Sequence, residues 1–135
     1  MNQDLTVHIY SFSYLRGGIP EDPTGHGGGF VFDCRVLPNP GREERFKDLT
    51  GRDPGVVRYL DEREEARVFW DRVIALVLDG AQTYRARGFD HLTVAFGCTG
   101  GQHRSVYFAE KLRRALEEHG VACTLVHRDL SEASS

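Results

Sequence analysis

A chain of 135 residues, 40% hydrophobic and 27% charged, has the size and balance of one folded domain that needs no disulfide or metal staple. Seventeen Lys and Arg against 20 Asp and Glu leave a formal charge of -3, which excludes a globally basic nucleic-acid binder and leaves only a local patch for such a role. Three cysteines, Cys34, Cys98 and Cys123, are too few and too widely spaced for a disulfide framework, and no apolar run is long enough to cross a bilayer. A cytoplasmic setting is therefore expected, without a signal peptide, because Asp4 and His8 interrupt the opening apolar pattern.

In chain order, Thr6–Tyr14 carries Val7, Ile9, Phe12 and Tyr14 among polar residues and reads as a strand, with a shift of alternation near Ser11. Leu15–Gly29, with Gly17, Gly18, Pro20, Pro23 and the glycines around His26, reads as a loop. Phe30–Leu37 predicts a second strand, stopped by Pro38 and Pro40. After an irregular charged stretch, a long helix is expected over Asp61–Arg87, opened by a capping box of Asp61 and Glu64 and closed at Gly88. Its inward face is read as Phe69, Val73, Leu76, Gly80 and Tyr84.

His91–Phe96 is apolar enough for an inner strand of a covered sheet. A helix follows over Gln102–His119, with Val106, Ala109, Leu112 and Leu116 inward and Gly120 as its stop. Val121–His127 predicts the last strand, and the tail 131–135 is expected to be mobile. The closing strand–helix–strand has the length of a right-handed crossover. The expected fold class is α/β: a compact layered fold, one domain over 1–135, with a mixed or mostly parallel central sheet flanked by helices.

The chemistry concentrates in Gly97–Ser105, between strand and helix. Gly100 and Gly101 permit backbone angles that other residues reach only with strain. The helix start presents unpaired N–H groups and the positive end of its dipole, a ready site for phosphate, sulfate or carboxylate. Arg104 supplies a two-pronged cation, Thr99 and Ser105 hydroxyl donors, and Gln102 and His103 further polar groups. The alternative is a plain strand–helix turn with Arg104 solvated. Ser11 and Arg16 at the first strand end, Arg35 beside Asp33 and Cys34, and Arg128 in His127-Arg128-Asp129 are candidate contributors from neighbouring strand ends. For Arg35 the competing role is a structural pair with Asp33. His26 is positioned to close over a ligand or to be solvated. No compact metal-ligand pattern and no Walker loop occur, so neither a metal nor a cofactor is implied.

Cys98-x-x-Gly101-x-x-Arg104-Ser105 resembles the signature of cysteine-dependent phosphatases. A thiolate at a helix N-terminus attacks phosphorus in that chemistry, the arginine stabilises the equatorial oxygens, and an acid protonates the leaving group. Asp33 and Asp129 are the candidate acids. Gly97 stands where that family usually has histidine.

A wider set of motifs carries a second resemblance. Gly97-Cys98-Thr99-Gly100-Gly101-Gln102-His103-Arg104-Ser105-Val106, Tyr10–Tyr14, Phe32–Pro40, Leu49-Thr50-Gly51 and His127-Arg128-Asp129 resemble, in order and over nearly the whole chain, the C-terminal domain of the bacterial RNase adapter proteins, the RapZ family. That resemblance implies a compact α/β domain that senses glucosamine-6-phosphate in amino-sugar metabolism. It also implies binding of regulatory RNA, presentation of that RNA to an endoribonuclease, and homo-oligomers. Cys98, Thr99, Gly100, Gly101, His103, Arg104 and Ser105 match the family's ligand loop, Ser11 and Arg35 match two of its other motifs, and Arg128 falls on the same charged rim. The expectation is a regulatory binding domain for a phosphorylated amino sugar or nucleotide sugar. Without a Walker loop, ATP binding does not carry over. With no basic residue in Leu130–Ser135, RNA would have to be met by an assembled basic surface.

Overall fold

The apolar strands pair into one sheet. In the computed structural model, which describes residues 5–25 and 29–131, β1 (Thr6–Ser13), β2 (Gly29–Asp33), β3 (His91–Cys98) and β4 (Ala122–His127) lie in the order β2-β3-β1-β4. Every pairing is parallel. The register aligns Ile9 with Val94 and Leu125, and Phe32 with Phe96. Alternation therefore puts Val7, Ile9, Val94 and Phe96, all buried, on one face. The helices cover that face: α1 (Pro54–Asp61), α2 (Glu64–Ala86) and α3 (Arg104–Glu118). Phe32 stacks on Phe96 at 5.5 Å, and Phe69 of α2 meets Phe108 of α3 edge-on at 5.1 Å. Tyr10, Val31 and Val126 lie on the opposite face, where the two valines are 46% and 47% exposed.

Several expected boundaries move, each for a visible reason. The second strand stops at Asp33, not Leu37, because Cys34–Val36 turns into a short 3₁₀ helix whose Arg35 N–H is taken by the Asp33 carboxylate. The helix expected over Asp61–Arg87 is α2, which begins three residues later at Glu64, and most of a further helix, α1, lies in the charged stretch expected to be irregular. Pro54 at the first turn opens α1, and the chain breaks at Glu62–Arg63. Asp61 ends α1 and accepts the Tyr107 hydroxyl, so it does not cap α2, whose N-cap is Arg63 and makes no side-chain capping bond. The buried stripe of α2 is Ala66, Val73, Val77 and Ala81, and Leu76 is 49% exposed. Gly80 is the point of closest approach, where a Cβ would come within 2.9 Å of the Phe30 ring.

The ends of α2 and α3 fall where Gly88 and Gly120 reach φ of +81° and +71°. Helix α3 begins at Arg104, two residues after the expected start. It leads from β3 to β4, which pairs with β1, so the connection passes over one strand. Among the described residues no helix is long and apolar enough to cross a membrane, and no group of three or more His, Cys, Asp or Glu could hold a metal ion. His26 and residues 132–135 of the expected tail lie outside the described residues.

Candidate functional site

Parallel pairing brings Ser13, Asp33, Cys98 and His127, the last residues of the four strands, to one edge of the sheet. Open α/β sheets bind ligands at that edge. The loop after β3 is held there by backbone demands that only glycine meets. A Cβ at Gly97 would sit 2.4–2.6 Å from the rings of Phe12 and Tyr14, which explains why a large side chain cannot precede Cys98. Gly101 has φ +74°, and a Cβ there would crowd Ser13 and Asp129 at 3.1–3.2 Å. The loop is then laced to its neighbours. Ser13 Oγ donates to the Thr99 carbonyl (2.7 Å), and Gln102 Nε2 donates to the carbonyls of Gly100 (3.1 Å) and Asp129 (2.8 Å). Gly51 N–H donates to the Gln102 carbonyl at 2.8 Å, and His103 Nε2 donates to the Phe46 carbonyl at 2.9 Å. His103 and Gln102 thus work as structural ties between the loop and its walls.

Beneath the loop, Cys98 and Arg104 are both buried, at 2% and 4% exposure. The Cys98 thiol donates to Ser105 Oγ (3.1 Å) and accepts the Ser105 N–H (3.4 Å), so its sulfur faces the first turn of α3. Arg104 Nη1 donates to three carbonyls, those of Leu37 (2.9 Å), Arg35 (3.2 Å) and Cys34 (3.3 Å). This grip curls the chain after β2 into its 3₁₀ turn. Arg104 Nε is buried without a hydrogen-bond partner, and among the described residues no carboxylate pairs with this guanidinium. An unpaired buried cation is expensive, and here one N–H is left unused beside a helix N-terminus.

The rim residues are more committed. Asp33 and Arg35 form a two-pronged pair at 2.7–2.8 Å, the structural role weighed for Arg35. The Arg35 guanidinium also lies 3.7 Å from the centre of the Tyr14 ring. The hydrogen bond from Arg35 holds the Asp33 carboxyl below its usual range. Asp129 accepts from Ser13 N–H (2.8 Å) and from Arg128 (2.8 and 3.1 Å). Burial pushes its carboxyl up, but these bonds prevail and the net shift is downward. Neither acid is prepared to give up a proton near neutrality. Arg128 Nη2 also donates to the Arg16 carbonyl at 2.9 Å. Arg16 is exposed and lines a cleft of about 520 Å³ with Lys47, Asp48, Thr50, Gln102 and Ser131.

Ser11 is fully buried and belongs to a different network. Its hydroxyl donates to His127 Nδ1 (2.6 Å), and His127 Nε2 donates to Glu110 (2.8 Å). Glu110 also takes Arg113 (2.8 Å) and Arg52 (3.2 Å). Burial pushes the Glu110 carboxyl up, but His127 and Arg113 outweigh it and hold it at about 2. Burial lowers the His127 imidazole despite the Glu110 contact; the histidine is neutral, and the arginines balance the carboxylate. Sequence reasoning missed Glu110 and Arg52. The available signal was an acid one turn after Val106, on the inward stripe of α3.

The family model described as the RapZ C-terminal domain matches residues 5–131. A protein of Solibacter usitatus called "Nucleotide-binding protein" is 40% identical over 130 residues, covering 96% of this chain and 39% of its own. Proteins named in the same way from a Ruegeria species and from Nitrosomonas europaea are each 44% identical, covering 93% and 95% of this chain and 40% and 42% of theirs. The chain spans about two fifths of the length of these relatives.

Proposed function

The chain belongs to the RapZ C-terminal domain family, and on that premise we propose that it is a regulatory binding domain in which Thr99–Ser105 holds the phosphoryl group of a phosphorylated amino sugar or nucleotide sugar. One observation carries this reading: Arg104 is buried, has no carboxylate partner among the described residues, and keeps its Nε unpaired while Nη1 is spent on three carbonyls. An oxyanion satisfies that N–H and neutralises the charge, with the first turn of α3 adding its own donors. The exposed cleft beside Gln102, with Arg16, Lys47 and Asp48 on its walls, takes the remainder of the ligand. The relatives' name, nucleotide-binding protein, keeps nucleotide sugars among the ligands to test. Isothermal titration against glucosamine-6-phosphate, UDP-N-acetylglucosamine and inorganic phosphate tests the reading; no heat at millimolar concentrations of all three rejects it.

As a member of an RNase adapter family, the domain is further proposed to act on structured RNA together with an endoribonuclease, as a homo-oligomer, in the cytoplasm. Filter binding over a range of salt tests the RNA part, because phosphate contacts make affinity fall steeply with salt. No retention of structured RNA at low salt removes it.

A second reading, cysteine-dependent phosphatase, is favoured by the Cys98 sulfur lying against the first turn of α3. It is disfavoured by the rim, where Asp33 and Asp129 are both held in the ionised form and neither is a proton donor for a leaving group. Turnover of an aryl phosphate that disappears in Cys98→Ser would reverse the order of the two readings.

A further inference from the structure

Cys34 and Cys98 follow directly on paired residues. The β2–β3 register runs Phe32 to Phe96 and Asp33 to Gly97, so the next residue of each chain is a cysteine. Neighbouring strands lie about 4.8 Å apart, inside the range of about 4.4–6.8 Å that a disulfide spans between Cα atoms. Cys98 closes β3 and Cys34 opens the 3₁₀ turn straight after β2, and both side chains are buried in the same apolar core. Burial pushes the Cys34 thiol up, and the neighbouring Cys98 adds to the effect. The Cys34 thiol donates to the Phe32 carbonyl over a long 3.9 Å. Cys123 lies two strands away on β4.

We infer that Cys34 and Cys98 are a modifiable thiol pair that a hydroperoxide joins as a disulfide. Cys98 reacts first, because it is followed directly by the exposed Thr99 and Gly100, whereas Cys34 is fully buried. Its sulfur attacks one peroxide oxygen, the O–O bond breaks, and the other oxygen leaves with the thiol proton as water or an alcohol. The sulfur is now a sulfenic acid. The Cys34 sulfur then attacks the Cys98 sulfur, the S–O bond breaks, and hydroxide leaves with the Cys34 proton as water. Two thiols are oxidised and one peroxide is reduced. The Cys98 thiol gives up its proton bond to Ser105, and the turn that Arg104 grips becomes covalently tied to the loop after β3. This pairing stands whether or not the loop binds an anion.

The test treats the full chain with a small excess of hydrogen peroxide, blocks remaining thiols with N-ethylmaleimide, and maps the peptides by mass spectrometry. The expected product has lost two hydrogens, carries one blocked thiol at Cys123, joins the Cys34 and Cys98 peptides, and reverts with dithiothreitol. Cys123→Ser keeps that crosslink. Cys34→Ser loses it and leaves a Cys98 sulfenic acid that dimedone traps. A wild-type protein in which Cys98 goes on to sulfinic acid, in which the crosslink runs to Cys123, or in which both thiols stay reduced overturns the inference.

Discussion

Two buried polar clusters sit side by side at the carboxyl edge of the sheet, and they are finished differently. Around β1 and β4, Ser11, His127, Glu110, Arg113 and Arg52 form a chain closed in charge, in which Glu110 is met by three donors and pairs with both arginines, although Arg113 Nε is itself buried without a partner. Around β2 and β3, Arg104 is met by carbonyls on one nitrogen and left unpaired at another. A closed network holds the fold, and its worth is spent on folding. A buried cation with no carboxylate beside it carries a desolvation cost that an anion would relieve, and the proposed function rests on this difference in charge balance.

The largest expected effect tests the closed side. Glu110→Ala leaves His127, Arg113 and Arg52 without their shared acceptor and should cost about 3–5 kcal/mol of stability in urea unfolding. Glu110→Gln should cost less and leave phosphate-ester affinity within about twofold, because the two clusters share no partner. Binding abolished in a folded Glu110→Gln protein would collapse the distinction. The pH dependence has a defined sign. Glu110 is depressed from 4.5 to about 2, so its contribution is complete above about 4.5 and is lost as pH falls toward 2. His127 is also depressed, from 6.5, so the folded form binds fewer protons than the unfolded one and stability already declines as pH drops below 6.5. Glu110→Gln should flatten the acid limb of this profile, as read by Tm.

Next in size, Arg104→Ala should weaken binding of a phosphorylated ligand by about 2–4 kcal/mol, two charge-assisted hydrogen bonds' worth, in titration calorimetry. Arg104→Lys should recover only part, since an ammonium cannot hold the 34–37 carbonyls and an oxyanion in one plane. Unchanged affinity in a folded Arg104→Ala protein would move the site elsewhere. Gly97→Ala forces a methyl into the Phe12 and Tyr14 rings and should lower stability by about 1–3 kcal/mol, visible as a lower Tm. Asp33→Asn is the smallest: its pair with Arg35 is 40–46% exposed, so less than about 1 kcal/mol should be lost.

The sheet and the last helix were legible in the sequence because each carries an unbroken pattern between glycine stops: His91–Phe96, Val106 to Leu116, Gly120. The loop Gly97–Ser105 was legible because glycine, helix start and cation coincide in nine residues. Helix α1 was not, since Asp61 looks like the cap of the helix that follows until Tyr107, far along the chain, claims its carboxylate. Leu76 misled through periodicity, because a stripe centred on Val73, Val77 and Ala81 differs from the expected one by a small rotation. Ser11 was read as a ligand donor, but its partner His127 arrives only through the β1–β4 pairing. Local patterns find elements; contacts between distant segments decide which partner each polar residue meets.

The uniform strand direction also sets how the molecule can be handled. Every strand starts at the edge marked by Thr6, Gly29, His91 and Ala122, and an eight-residue strand such as β3 puts roughly 25 Å between that edge and the loop after Cys98. A surface tether at the exposed Asp90, just ahead of β3, would present the loop to bulk solvent like the open end of a probe. A tether at Ser131, which donates its N–H to Gln102, would crowd the loop itself.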